Sequence, residues 1–174
     1  MNLQHAIALI NHTDIAEKPN ARWVDLGCGS GLFTFALANL LPEGSSIYAV
    51  DKSPVSLKLL PNPHNINIKT QQMDFLTDPL PVGEPDGILL ANSLHYVADK
   101  INFINTIEKQ LSPKGSFLIV EYDTDKPNPW VPYPLSSQSL QLLFAKAGYG
   151  SFTKLRRIPS LYNTAGIYAA IIKK

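Results

Sequence analysis

The sequence predicts an α/β fold: a doubly wound, mostly parallel seven-stranded sheet that ends in an antiparallel strand pair. Short apolar runs of strand length alternate with segments of helical periodicity, which is the pattern of strands joined by helical crossovers. The first of these runs stops in three glycines at alternate positions, Gly27, Gly29 and Gly31, and passes straight into an apolar helical stretch. Two C-terminal runs, Ser151–Ile158 and 166–172, have only a turn between them and therefore read as antiparallel partners.

Composition bounds the problem before any motif is read. The 174 residues suit one domain, with 1–21 holding an N-terminal helix and candidate lid and 22–174 the α/β core. Lys+Arg and Asp+Glu leave a formal net charge of +1, so phosphate-driven affinity is not expected and nucleic acid is not an expected partner. Cys28 is the only cysteine, which leaves no internal disulfide and no cysteine-based metal cage, and fits a reducing cytoplasm. No metal site is expected. The opening apolar run, 6–10, is too short and wrongly flanked for a signal peptide, and no stretch approaches the roughly 20 apolar residues of a membrane span. A cytoplasmic protein with no membrane partner is the expectation; oligomeric state does not follow from these features.

In chain order, Leu3, Ala6, Ile7 and Ile10 share one face of an opening helix over 2–11. Strand one is Arg22–Leu26, and the helix over 31–41 is apolar nearly all round, as burial against a sheet requires. A second strand spans 46–50. Ser53 as N-cap and Pro54 in the first turn predict a helix over 53–60, ended by Pro61 and Pro63. The third strand is placed at 65–71, and the proline-rich loop 77–85 leaves room for little helix. The run 87–92 reads as a strand covered on both faces. Asp99 caps a helix to Leu111, with Ile101, Ile104, Ile107 and Leu111 facing inward. A fifth strand over 117–121 precedes four prolines in 127–134, interleaved with Trp130 and Tyr133. A helix capped by Ser136 or Ser137 carries Leu140, Leu143, Phe144 and Ala147 and ends at Gly148.

In a doubly wound sheet the loops after strands one to five share one rim, at the carboxyl ends of the strands. Asp51 ends the second strand 20 residues after Gly31, next to the glycine loop, where a carboxylate can accept hydrogen bonds from two vicinal ribose hydroxyls. A nucleoside ligand follows. The dinucleotide fingerprint needs a third glycine where this chain has Leu32, which argues against an NAD-dependent oxidoreductase. A non-catalytic nucleoside-binding module remains the second alternative to an enzyme.

The run Asp25-Leu26-Gly27-Cys28-Gly29-Ser30-Gly31 resembles motif I of the class I S-adenosylmethionine-dependent methyltransferases. Ala49-Val50-Asp51 is similar to their acidic second-strand end, Gln72-Met73-Asp74-Phe75 to the third-strand end, and 86–92 to the fourth strand. Leu111-Ser112-Pro113-Lys114-Gly115-Ser116 resembles the turn into the fifth strand. The resemblance covers about residue 23 to the C-terminus and implies a Rossmann-like core, S-adenosyl-L-methionine as cofactor, and roles by position. Gly27, Cys28 and Gly29 would lie against the methionine part, with Asp25 ordering the loop. Asp51 would hold the ribose with Lys52 beside it, Asp74 the adenine amino group, and Phe75 one adenine face. Asn92 would line the sulfonium end.

Methyl transfer from a sulfonium is an in-line displacement in which positioning can supply about 7 to 11 kcal/mol, so a general base is not obligatory. His95, with Tyr96 beside it, is the best-placed candidate for one. Glu121, Tyr122 and Asp123 end the fifth strand and face the same rim. Tyr122, Trp130 and Tyr133 are the candidate walls of a substrate pocket for a small-molecule acceptor. Asn128-Pro129-Trp130 resembles the Asn-Pro-Pro-Tyr motif of amino-directed methyltransferases but follows the fifth strand instead of the fourth, where Asn92-Ser93-Leu94-His95 stands. Methylation of DNA bases or glutamine is therefore disfavoured.

Overall fold

Continuous apolar runs demand cover on both faces, and β1 (Arg22–Leu26), β4 (Gly87–Ala91) and β5 (Ser116–Tyr122) obtain it in the middle of a seven-stranded sheet. The computed structural model describes residues 1–159 and 165–174. Strand order is β3-β2-β1-β4-β5-β7-β6, with β2 (Ser46–Asp51), β3 (Asn67–Gln72), β6 (Ser151–Ile158) and β7 (Ile167–Lys173) on the flanks. The first five strands are parallel, and β7 lies antiparallel between β5 and β6. The turn expected between β6 and β7 falls on residues 160–164, outside the described residues.

Side chains alternate across each central strand and so feed two cores. Phe117 and Ile119 join Val24, Leu26 and Ile88 under α4 (Lys100–Ile107) and α5 (Ser137–Lys146). Leu118 and Val120 join Trp23, Ile47 and Leu89 under α1 (Leu3–Ile10) and α3 (Leu32–Ala38). The N-caps of α1, α4 and α5 are Asn2, Asp99 and Ser136, each accepting from the backbone N–H three residues on. In α1, Ala6, Leu9 and Ile10 are fully buried, and the helix packs on α3, β6 and β7. A one-turn α2 (Thr13–Ala16) follows it. Chain order reverses where β4 pairs with β1, which brings the loops after β1 to β5 to one rim.

Three expectations about elements need correction. The helix over 53–60 does not form: 54–60 has no regular structure and Leu59 is 93% exposed. Few residues lie between Pro54 and Pro61, too few to offset the cost of helix nucleation without a buried face. The segment is tied to the glycine loop instead, with Lys58 N–H donating to the Ser30 carbonyl at 3.0 Å. The third strand begins at Asn67, not at residue 65, because the Asn62 side chain takes both the N–H and the carbonyl of Ile66. In α4, Ile101 is exposed. The inward face is Lys100, Ile104 and Ile107, with the helix tightening into a 3-10 turn over Glu108–Gln110.

Candidate functional site

The glycine loop is bare because its neighbours leave no room and its backbone allows no alternative. Gly27 and Gly31 sit at φ 79° and 88°, in the left-handed region. A Cβ on Gly27 would stand 2.7 Å from Ser93 Cβ, and one on Gly31 2.8 Å from Leu57 Cδ2. At Gly29 a Cβ would meet nothing within 4 Å, so the loop is open on that side. Its amides are anchored to the next strand: the N–H groups of Gly27 and Cys28 both donate to the Val50 carbonyl at 2.9 Å.

Carboxylates complete this half of the rim. Asp51 Oδ2 accepts from Gly29 N–H and Oδ1 from Ser53 N–H, both at 2.9 Å. Each oxygen has two lone pairs, so each keeps one for a further donor. Asp74 Oδ1 accepts from Leu76 N–H at 3.1 Å, and Lys52 Nζ lies 2.8 Å from Oδ2. That ammonium, then the Leu76 amide, holds the Asp74 carboxyl below its ordinary range, while Asp74 raises Lys52. The Phe75 ring stands 3.6 Å from the position of a Gly27 Cβ and packs edge-on against Phe103 at 5.7 Å.

Asp25 faces the other way. Strand alternation places it on the α3 side of the sheet, 1% exposed, where Thr34 Oγ1 donates to Oδ2 at 2.6 Å and Oδ1 has no partner among the described residues. Burial pushes its carboxyl up to about 7, the Thr34 hydrogen bond opposing and the Asp51 charge adding. Burial, reinforced by Asp25 and Asp51, pushes the Cys28 thiol up to about 12, so this cysteine is no nucleophile.

Across the switch point, Asn92 adopts φ 55°, and its side-chain Oδ1 is buried with no hydrogen-bond partner among the described residues. Ser93 Oγ donates to the Leu26 carbonyl at 2.6 Å and ties the ends of β1 and β4 together. His95 and Glu121 form a buried pair, Nδ1 to Oε2 at 2.7 Å, with the His95 N–H donating to Oε1 at 3.0 Å. The rings of Tyr96 and Tyr122 lie 4.4 and 6.3 Å from the imidazole. The proline segment does reach this point, since Tyr133 N–H donates to the His95 carbonyl at 3.0 Å. Lys100 Nζ donates to the Val97 carbonyl at 2.7 Å and lies 5.4 Å from the Tyr133 ring centre. Trp130, held in a turn by Asn128, is 82% exposed and is the member of the sequence-derived set that stands apart.

Residues 17–152 match the family model described as a methyltransferase domain, well over half of the chain. The chain belongs to the methyltransferase-domain family. Among relatives of this chain is the ubiquinone biosynthesis O-methyltransferase of Xanthomonas campestris pv. campestris (strain B100). It is 28% identical over 106 residues, covering 58% of this chain and 43% of that protein. A probable chloroplastic tocopherol O-methyltransferase of Oryza sativa subsp. japonica is 28% identical over 125 residues, covering 69% of this chain and 34% of that protein. The chain thus spans less than half the length of these two relatives. In fold it is similar to the Burkholderia thailandensis 1,6-didemethyltoxoflavin-N1-methyltransferase, solved with 1,6-didemethyltoxoflavin and S-adenosylhomocysteine. The TM-score is 0.73 at 19% identity, over 99% of this chain and 77% of that one. A SAM-dependent methyltransferase from Aquifex aeolicus has TM-score 0.63 at 14% identity, over 99% and 98%.

Sequence reasoning missed Thr34, Ser93 and Lys100. Thr34 carried a readable signal, as the polar residue in the otherwise apolar run of α3. Ser93 and Lys100 carried none, because their partners, Leu26 and the Tyr133 ring, are distant in sequence.

Proposed function

We propose that the chain transfers a methyl group from S-adenosylmethionine to a small-molecule acceptor. The observation that carries this is the pairing, across one switch point, of a left-handed glycine loop with a buried, unpartnered amide oxygen on Asn92. A nucleotide loop alone needs only the first; a donor-hungry oxygen at the end of the neighbouring strand suits a ligand that brings its own N–H or cationic end. The open side of Gly29 and the spare lone pairs on Asp51 fit the same molecule, so the residues present suit the group the family implies.

On this reading Gly27, Cys28 and Gly29 lie along the methionine part, Asp51 takes the ribose hydroxyls, and Asp74 with Phe75 takes the adenine. Lys52 sets the Asp74 carboxylate, and Asn92 lines the methyl end. The cofactor supplies an activated methyl; the chain binds, orients and excludes water. The acceptor lies toward His95, Tyr96, Tyr122 and Tyr133, with Trp130 at the outer edge. Solution calorimetry tests the reading directly. S-adenosylhomocysteine is expected to bind and NAD not to; binding of NAD alone would sink it. Incubation with labelled S-adenosylmethionine and a metabolite extract then yields a labelled product if the chain is an enzyme.

A further inference from the structure

We propose that Glu121 is a positioning residue that holds His95 in one tautomer, with Nε2 poised to take a proton, and that the acceptor so served is a phenolic hydroxyl. This rests on the methyltransferase reading above. Glu121 is 1% exposed and His95 3%. Removing a carboxylate from water this completely costs several kcal/mol unless its oxygens are paired. Both oxygens here are spent on one residue: Oε1 on the His95 backbone N–H and Oε2 on Nδ1. An ionised carboxylate accepts only, so Nδ1 carries the ring hydrogen and Nε2 is left with its lone pair. Among the described residues Nε2 has no hydrogen-bond partner.

A purely structural pair would not need a histidine at the reactive rim. This one is placed there by the 3-10 turn Leu94–Tyr96 after β4 and by the carboxyl end of β5, strand ends on the same rim as the glycine loop. The groups that face the pair are Tyr96 and Tyr122 by ring contact, Tyr168 across from Glu121 on β7, and Lys100 on α4. Burial holds the Lys100 ammonium below its ordinary range, and the Glu121 charge opposes that shift. Among the described residues the surroundings are therefore aromatic with the Lys100 cation beside them, suited to a planar acceptor that becomes anionic.

The chemistry selects a hydroxyl. An amine attacks through its neutral lone pair and sheds its proton afterwards, whereas a phenol, with pKa about 10, is a poor nucleophile until its O–H bond weakens. The acceptor oxygen forms its bond to the methyl carbon as the carbon–sulfur bond breaks. The electron pair of that bond stays on sulfur, which becomes a neutral thioether, and the phenolic proton passes to His95 Nε2 and then to solvent.

Glu121→Gln reverses the arrangement without removing bulk. The Gln oxygen must stay on the His95 backbone N–H, so its NH₂ group faces Nδ1 and drives the ring hydrogen to Nε2. The test uses the protein with S-adenosylhomocysteine and 4-nitrocatechol, a phenol whose ionised form has its own visible spectrum, below the probe's solution pKa. Wild type is expected to show the ionised spectrum for bound probe, and His95→Gln and Glu121→Gln the neutral one, with S-adenosylhomocysteine affinity changed less than about twofold. ¹⁵N spectra of the wild-type imidazole are expected to show Nδ1 protonated and Nε2 bare, a measurement that needs no variant to fold. A wild-type protein that binds S-adenosylhomocysteine but leaves the probe neutral or unbound overturns the proposal. So does a proton on Nε2, or an unchanged spectrum in Glu121→Gln. Failure to bind S-adenosylhomocysteine at all overturns instead the reading beneath it.

Discussion

The two halves of the rim are built on different principles. Around β1, β2 and β3 the site is backbone and short acids: a glycine loop hung on the Val50 carbonyl, with Asp51 and Asp74 at consecutive strand ends. Around β4 and β5 it is a buried side-chain pair, His95 and Glu121, 26 residues apart in sequence and covered by aromatic rings. As a proposed site for a fixed ligand, the first half needs only turns and strand ends in register. On the proposed reading the second handles a proton, which needs a base whose tautomer is set by a partner in a dry place. Binding and chemistry are thereby separable, and substitutions on either side should show it.

The sharpest break is Glu121→Gln, expected to lower turnover of a phenolic probe by about 10²- to 10⁴-fold in initial-rate assays while cofactor affinity holds. Loss of both together would merge the two halves. Next comes Asp25, beneath the cofactor half. Its folded carboxyl is raised from 3.8 to about 7, so the native state binds the extra proton between those values and this group's contribution to stability falls as pH rises through that window. The swing is on the order of 4 kcal/mol, flat above the upper value. Thermal melts of wild type and Asp25→Asn across pH 4 to 8 are expected to lie close together at the acid end and to diverge as pH rises, with the non-titrating Asn variant the more stable; parallel curves would remove the burial argument. Gly27→Ala places a Cβ 2.7 Å from Ser93 at φ 79° and is expected to weaken S-adenosylhomocysteine binding about 100-fold by calorimetry. Asp51→Ala is expected to weaken it at least about tenfold, as two charge-assisted hydrogen bonds are lost. Smallest is Trp130→Ala: at 82% exposure it is expected to move stability by less than about 0.5 kcal/mol in urea melts, with any effect confined to the acceptor's KM.

How legible each element was follows the same division. β1 and β6 matched their predicted bounds because apolar patterning and flanking turn residues act within a few positions. The helix over 53–60 failed because caps and a first-turn proline are local permissions; the segment is held against the glycine loop by Lys58 N–H and Leu57 instead, and Leu59 stands in water. Ile101 was assigned inward on spacing alone, whereas the packing of α4 gave the inner position to Lys100.

By itself, the sequence determined the strand-glycine loop-helix unit, the acids at Asp51 and Asp74 and their place on one rim, since each depends on short-range backbone preferences and on strand ends that parallel pairing must align. Only the tertiary structure decided that Asp25 turns away to Thr34, that Lys52 binds Asp74, and that Glu121 spends both oxygens on His95. Those contacts depend on which side chains two distant strands and their loops bring together, and on the burial that makes an unpaired charge too costly to leave.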